Sequence, residues 1–225
     1  MNICVIIPAY NESRAIADLI KQIIKLGLEV IIVDDGSTDD TVKIASSCGA
    51  KVLVNAKNMG KGASLIKGYN SALAGGFDAV ISMDGDGQHS PLDLPAFIHK
   101  AQSSKSGLIV GNRMGKTKGM PALRIMTNNL MSKFISLIVK QHIPDTQCGF
   151  RLVKKELLMN LDLSTSKYET ESEVLIKAAH LGYKIESIPV ETIYSGQKSQ
   201  INPFVDSLRF LRFMILEFMR RPKHA

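Results

Sequence analysis

The sequence predicts an α/β fold with a mostly parallel central sheet flanked by helices. Short β-branched runs alternate with helix-length amphipathic segments, the rhythm of a parallel sheet with crossover helices. Polar loops carrying glycine and aspartate follow several of those runs, as ligand-gathering loops do in open α/β sheets. A chain of 225 residues, 45% hydrophobic, is long enough for one well-filled core but not comfortably for two.

In chain order, the strands fall at Ile3 to Ile7, Val30 to Val33, Lys51 to Val54, Ala79 to Ser82 and Leu108 to Val110. Ser13, Ser37 or Thr38, and Ser90 with Pro91 behind it offer capping hydroxyls for the helices between them. Beyond Val110 the spacing predicts a basic loop, a helix from about Pro121 to Lys140, and a turn at Pro144-Asp145. A helix near Glu171 to Leu181 and a strand from Lys184 to Val190 complete the expected domain, residues 1–200.

Residues 201–225 read as an amphipathic basic helix and tail. Phe204, Leu208, Leu211, Ile215 and Phe218 share one stripe, while Arg209, Arg212 and Arg220 lie off it. Charges interrupt residues 203–221 too often for a bilayer span, so this segment is expected to lie on a membrane surface or to pack on the domain or a partner.

Charge is distributed unevenly. Residues 111–155 hold 9 basic and 1 acidic group, a net +8, whereas residues 156–194 hold 3 basic and 7 acidic, a net −4. The basic middle suggests a phosphorylated substrate or an anionic surface. No motif supports nucleic-acid binding. Cys4, Cys48 and Cys148 form neither a disulfide framework nor a zinc spacing. With no leader ahead of the first strand, a cytoplasmic protein is expected.

The chemistry concentrates where strands end. Asp84 and Asp86 follow the fourth run, and with Gln88 they form an oxygen-rich set suited to Mg2+ or Mn2+ and a pyrophosphate. The first run leads into Pro8-Ala9-Tyr10-Asn11-Glu12 and the second into Asp34-Asp35-Gly36-Ser37, so three loops are expected to line one cleft. Tyr10, Glu12 and Asp35 suit a base and a ribose, and Asp34 orients its loop. In Asn58-Met59-Gly60-Lys61-Gly62, Lys61 suits a phosphate at a helix start. There is no G-x-G-x-x-G after the first strand and no P-loop motif anywhere, so neither dehydrogenase nor P-loop readings are supported.

In that order, Pro8-Ala9-Tyr10-Asn11-Glu12, Val33-Asp34-Asp35-Gly36-Ser37 and Asp84-Gly85-Asp86-Gly87-Gln88-His89 resemble the family 2 glycosyltransferases. The dolichyl-phosphate mannose synthase-like, polyprenyl-phosphate subgroup is the nearest in kind. Gly111-Asn112-Arg113, Pro121-Ala122-Leu123-Arg124 and Asp145-Thr146-Gln147-Cys148-Gly149-Phe150-Arg151 extend the likeness. The resemblance implies a GT-A fold, a UDP- or GDP-sugar donor, a metal on Asp86 and Gln88 with Asp84 adjacent, and inversion at the anomeric carbon.

It also implies a polyprenyl-phosphate acceptor gripped by Arg113, Arg124 and Arg151, at the cytoplasmic face of a membrane. Forked guanidiniums suit phosphate, and a phosphate nucleophile needs no strong base. The alternative is a saccharide or other hydroxyl acceptor, for which Glu171 or Glu173 would take the proton. A binding module without catalysis is a further alternative, and a homo-oligomer or a membrane-protein partner is compatible with either. The segment from Tyr194 to Ser199 reads as a lid or a linker, with Lys198 able to reach donor phosphates.

Overall fold

The computed structural model describes residues 1–117, 119–193 and 212. The predicted lid and the stripe over residues 203–221 therefore fall outside the described residues, apart from Arg212.

Among the described residues, seven strands form one sheet: β1 (Ile3–Ala9), β2 (Glu29–Asp34), β3 (Lys51–Val54), β4 (Ala79–Ser82), β5 (Leu108–Asn112), β6 (Arg151–Lys154) and β7 (Ile185–Pro189). Their spatial order is β3-β2-β1-β4-β6-β5-β7. All neighbours run parallel except β6, which is antiparallel to both β4 and β5. The expected α/β class with a mostly parallel sheet is what forms. Apolar residues on successive strand positions are buried on both faces, as a helix-covered parallel sheet requires.

The helices are α1 (Ile16–Lys25), α2 (Thr41–Ser47), α3 (Lys61–Ala74), α4 (Leu94–Ser103), α5 (Ala122–Val139), α6 (Lys155–Asn160) and α7 (Glu169–His180). Ile16, Leu19, Ile20 and Ile23 put the core stripe of α1 on the sheet at the i, i+3, i+4, i+7 spacing. Ser90 caps a single 3-10 turn before α4, its hydroxyl accepting from the Leu92 amide. Among the described residues no helix is long and apolar enough to cross a membrane.

Two elements were not expected, β6 and α6. Arg151-Leu152-Val153-Lys154 offers only two apolar residues between charges, too short a run to read as a strand. It forms because Leu152 and Val153 slot between β4 and β5 and are fully buried. Strand β1 runs two residues further than expected, through Pro8. That proline is tolerated because the β4 ladder ends at Ile6, opposite Ser82, so no partner on that side asks Pro8 for a donor.

The chain builds β1, β2 and β3 outward in one direction and returns to place β4 on the other side of β1. The crevice between the C-terminal ends of β1 and β4 is thus the switch point of the sheet, where open α/β sheets bind ligands. Because β6 is antiparallel, it enters the sheet at that same edge, with Arg151 opposite Ser82. Its antiparallel course delivers the loop before it, ending Cys148-Gly149-Phe150, to the crevice.

Candidate active site

The first two loops are stapled together. The Asn11 amide donates to Ser37 Oγ at 2.9 Å, the Thr38 amide to Asn11 Oδ1 at 2.8 Å, and the Glu12 amide to Thr41 Oγ1 at 2.9 Å. Asn11 adopts a positive φ of 56°, which asparagine tolerates better than most residues. Tyr10 and Glu12 are thereby held half-buried at the end of β1.

The two aspartates after β2 divide their work differently from the expectation. Asp35 was expected to face the donor, yet it is buried and holds the next turn. Its Oδ1 accepts from Asn55 Nδ2 (2.9 Å) and the Met59 amide (2.8 Å), and its Oδ2 from the Gly60 amide (2.7 Å). Asp34 does orient its loop, with Oδ2 accepting from the Gly36 and Ser37 amides at 3.1 and 3.0 Å. Its Oδ1, however, is buried without a hydrogen-bond partner among the described residues. A buried acceptor left open beside a cleft suits a ligand's N–H or O–H.

By fixing the turn, Asp35 sets the start of α3. Gly60, at a φ of 102° that favours glycine, turns the chain so that Lys61 opens the helix. Lys61 was expected to face phosphate. Its Nζ instead lies 2.5 Å from Asp84 Oδ1 and 2.7 Å from Glu171 Oε1, bridging the β4 loop and α7. Burial alone would push the ammonium down, but the two carboxylates hold it up, so it stays charged. Burial would raise Asp84, yet Lys61 keeps it well below the usual carboxylate range.

Asp86 lacks such compensation. Burial and then the neighbouring Asp84 push its carboxyl up, and the Gln88 amide, donating at 2.9 Å, offsets this only in part. Glu12 is raised to about 7, by burial first and then by Asp86 and Asp84. The crevice therefore concentrates carboxylates whose mutual repulsion Lys61 relieves at Asp84 but not at Asp86 and Glu12. Among the described residues no group of three or more His, Cys, Asp or Glu is arranged to hold a metal ion. A hard divalent ion commonly takes only one or two carboxylates and completes its shell with water and substrate phosphate. Asp86, Asp84 and Gln88 fit that pattern.

His89 is a structural partner here. Its Nδ1 accepts the Asp84 amide at 3.1 Å, its ring stacks on Phe150 with centroids 5.1 Å apart, and burial pushes its pKa down. The imidazole is accordingly neutral and braces the loop. The Ile193 amide donates to the Gln88 carbonyl at 2.9 Å, so the chain leaving β7 also runs against this loop.

Of the three arginines expected to meet the acceptor, the structure removes one. Arg151 is 2% exposed, and its guanidinium donates to the carbonyls of Cys148 (2.7 Å), Thr146 (2.8 Å) and Glu171. All three of its nitrogens are thus engaged with backbone, and its task is to clamp the loop before β6 onto α7. Among the described residues it makes no ion pair with the acidic side chains of α7. Arg113 forms a two-point pair with Asp145, Nε to Oδ2 at 2.7 Å and Nη2 to Oδ1 at 2.9 Å, both residues being buried. Arg124 is half-buried in the first turn of α5.

The two glutamates named as bases separate. Glu171 reaches the crevice through Lys61. Glu173 points away and is fully buried, accepting from the amides and hydroxyls of Ser164 and Thr165 and pairing with Lys177 at 2.7 Å. These partners outweigh burial and hold its carboxyl at about 2, so it cannot serve as a base. A depressed carboxylate stabilises the fold above its unfolded value of 4.5, and that contribution fades as pH falls from 4.5 toward 2. Glu173→Gln is therefore expected to destabilise by about 2–3 kcal/mol at pH 7. In urea unfolding, the gap to wild type should shrink at pH 3.

Sequence reasoning missed Asp145 and Gly149. The first was legible: it is the single acid among residues 111–155. Gly149 sits where a Cβ would lie 2.8 Å from Glu171 Oε1 and 2.9 Å from both Asp84 Oδ1 and Lys61 Nζ. Only glycine lets the backbone come so close to that charged trio.

Comparison with known proteins agrees with this geometry. The profile described as Glycosyl transferase family 2 matches residues 4–162. The UDP-N-acetylglucosamine–dolichyl-phosphate N-acetylglucosaminyltransferase of Methanococcus voltae is 32% identical over 216 residues, covering 86% of either chain. The undecaprenyl-phosphate mannosyltransferase of Micrococcus luteus is 27% identical over 203 residues, 84% of this chain and 83% of that one. Among solved structures, glucosyl-3-phosphoglycerate synthase from Mycobacterium tuberculosis, crystallised with Mn2+, UDP and phosphoglyceric acid, superposes with a TM-score of 0.75. It is 23% identical, with 100% of this chain and 79% of that chain covered. At that identity the likeness shows the shared fold.

Proposed function

This chain belongs to glycosyl transferase family 2, and on that premise we propose that it transfers a hexosyl group from a UDP- or GDP-sugar to a polyprenyl phosphate, with inversion. In this reading an acceptor phosphate oxygen bonds to the anomeric carbon as the bond from that carbon to the diphosphate oxygen breaks. The nucleoside diphosphate leaves.

One observation carries the acceptor class. Glu171, the α7 carboxylate that reaches the crevice, is held by Lys61 at 2.7 Å, and Glu173 is fully engaged elsewhere. A hydroxyl acceptor needs a free base near the reacting carbon, whereas a phosphate arrives already ionised. The names of the relatives from Methanococcus voltae and Micrococcus luteus point to the same acceptor.

On the donor side, Pro8, Tyr10 and Glu12 line the end of β1, and the open Asp34 Oδ1 takes a hydrogen bond from the nucleoside. Asp84, Asp86 and Gln88 would hold Mg2+ or Mn2+. That ion would supply electrostatic stabilisation of the departing diphosphate. Lys61 keeps Asp84 ionised and oriented, and it adds a cation beside the same phosphates. On the acceptor side, Arg124 and the edge of the Arg113–Asp145 pair present guanidinium to the incoming phosphate, while Arg151 positions the loop between them.

The test uses labelled UDP- and GDP-sugars, Mg2+ or Mn2+ and a short-chain polyprenyl phosphate, followed by organic extraction. Label is expected in the organic phase only when the lipid phosphate is supplied. Label that stays in water as a new glycoside would establish a hydroxyl acceptor instead, with Glu171 released from Lys61 as its base. Donor binding without turnover on any acceptor would establish a binding module.

A further inference from the structure

Helix α3 delivers Lys61 to the crevice, yet its start has no side-chain cap of its own. The first amides of such a helix need acceptors from elsewhere. Asp35 takes the Gly60 amide, and the Ser166 carbonyl, in the loop between α6 and α7, takes the Ala63 amide at 3.0 Å. The same stretch of chain closes on the helix start. A Cβ on Gly62 would overlap Thr170 Oγ1 and lie 2.7 Å from the Lys167 carbonyl oxygen.

Glu173 holds that stretch in place. Its fully buried carboxylate accepts from the Ser164 amide (2.9 Å) and hydroxyl (2.8 Å) on Oε1, and from the Thr165 amide (2.9 Å) and hydroxyl (2.6 Å) on Oε2. Charge-assisted hydrogen bonds are about twice as strong as neutral ones, so this cluster gives the loop a fixed place. Because the Thr165 hydroxyl proton is committed to the carboxylate, Thr170 donates to Thr165 Oγ1 at 2.7 Å. Contacts thus run unbroken from Glu173 through Thr165 and Thr170 to the first turn of α3. There Lys61 reaches Asp84 at 2.5 Å and Glu171 at 2.7 Å.

We propose that Glu173 is a positioning residue for the donor side of the crevice: by anchoring residues 164–170 it caps α3 and holds Lys61 between Asp84 and Glu171. Its effect on the donor rests on the donor site proposed above, whereas the anchoring itself involves neither nucleotide nor metal. Outer groups that orient the residues of a binding site typically change affinity by about 10–100-fold when they are removed.

Two variants loosen the anchor at different atoms. Glu173→Gln leaves a single acceptor oxygen, and Thr165→Val removes the hydroxyl that joins Glu173 to Thr170. Each is treated, without ligand, with an amine-acylating reagent, and modification of Lys61 is read by mass spectrometry against that of the exposed Lys43. Wild-type Lys61 is shielded, its nitrogen engaged by two carboxylates. Both variants are expected to raise its modification at least about 10-fold relative to Lys43. The Ala63 amide should gain in hydrogen exchange by a larger factor than the Ile32 amide in β2, which reports global opening. UDP and GDP are then titrated with Mg2+ present. Glu173→Gln should weaken nucleotide binding about 10-fold or more in the wild-type background, and by less than about 2-fold in a Lys61→Met background, where no ammonium is left to place. Lys61 as shielded in both variants as in wild type would overturn the proposal, as would Ala63 exchange rising only in step with Ile32. Equal losses of nucleotide affinity in the two backgrounds would also overturn it, making Glu173 a support of the fold alone. A wild type that binds neither nucleotide would refute the donor site instead, with the labelling still deciding the anchor.

Discussion

Asp86→Ala is expected to abolish metal-dependent donor binding in calorimetry and to lower kcat/KM by about 10³-fold or more. The magnitude follows from losing a group that acts on charge developing at the leaving diphosphate. Removing one preorganised electrostatic contact of that kind commonly lowers rates by about 10²–10³-fold, and loss of the ion it helps to hold adds to that. The same substitution should leave the apoprotein melting no lower than wild type. Asp86 is a carboxylate that burial and Asp84 both disfavour, and it is one of the causes that raise Glu12 to about 7. Deleting it relieves repulsion that only a bound cation would offset, the familiar opposition of stability and function. A variant that loses binding only because it unfolds would refute this account.

The sign of the pH dependence follows from the same groups. A carboxyl whose folded value is raised disfavours its own ionisation, so apoprotein stability falls as pH rises from 4.5 through about 7, where Glu12 ionises. A cation bound nearby favours the ionised form. Affinity of wild type for the ion and donor together is thus expected to weaken as pH drops below about 7, and binding there should release protons measurable as a buffer-dependent heat.

How much of this was legible depended on whether the information was local. An apolar run that ends in Asp-Gly or Tyr-Asn-Glu announces both a strand and the loop after it, so the β1, β2 and β4 loops and their shared edge could be read directly. The Lys61–Glu171 bridge could not, because it joins the start of α3 to the start of α7 through tertiary packing alone. Arg151 shows the limit most sharply. An arginine that grips phosphate and one that clamps three carbonyls are the same letter in the same motif, and only the antiparallel insertion of β6 decides between them. Asp34 and Asp35 show it at smaller scale, since adjacent carboxylates leave a strand on opposite sides and meet different partners.

Asp145→Asn is expected to destabilise the protein by about 3–5 kcal/mol, because it strands the Arg113 guanidinium as an uncompensated charge in a buried site. For a chain of this size that corresponds to a fall in Tm of about 10 °C. Asparagine keeps only one acceptor oxygen, so of the Arg113 and Gln147 amides, which Asp145 now receives on Oδ2 and Oδ1 at 3.1 and 3.2 Å, one loses its partner, and the loss includes this loop contact as well as the charge. Adding Arg113→Met removes the stranded charge while keeping an unbranched apolar stem in the cavity. The double variant should recover at least about half of the lost stability, since a buried pair replaced as a unit is often close to neutral. Its activity should not recover, because the guanidinium assigned to the acceptor phosphate is gone. Strictly additive stabilities would show that Arg113 and Asp145 are not coupled as the 2.7 Å contact requires, and recovery of turnover along with stability would confine Arg113 to holding the β5 loop in place.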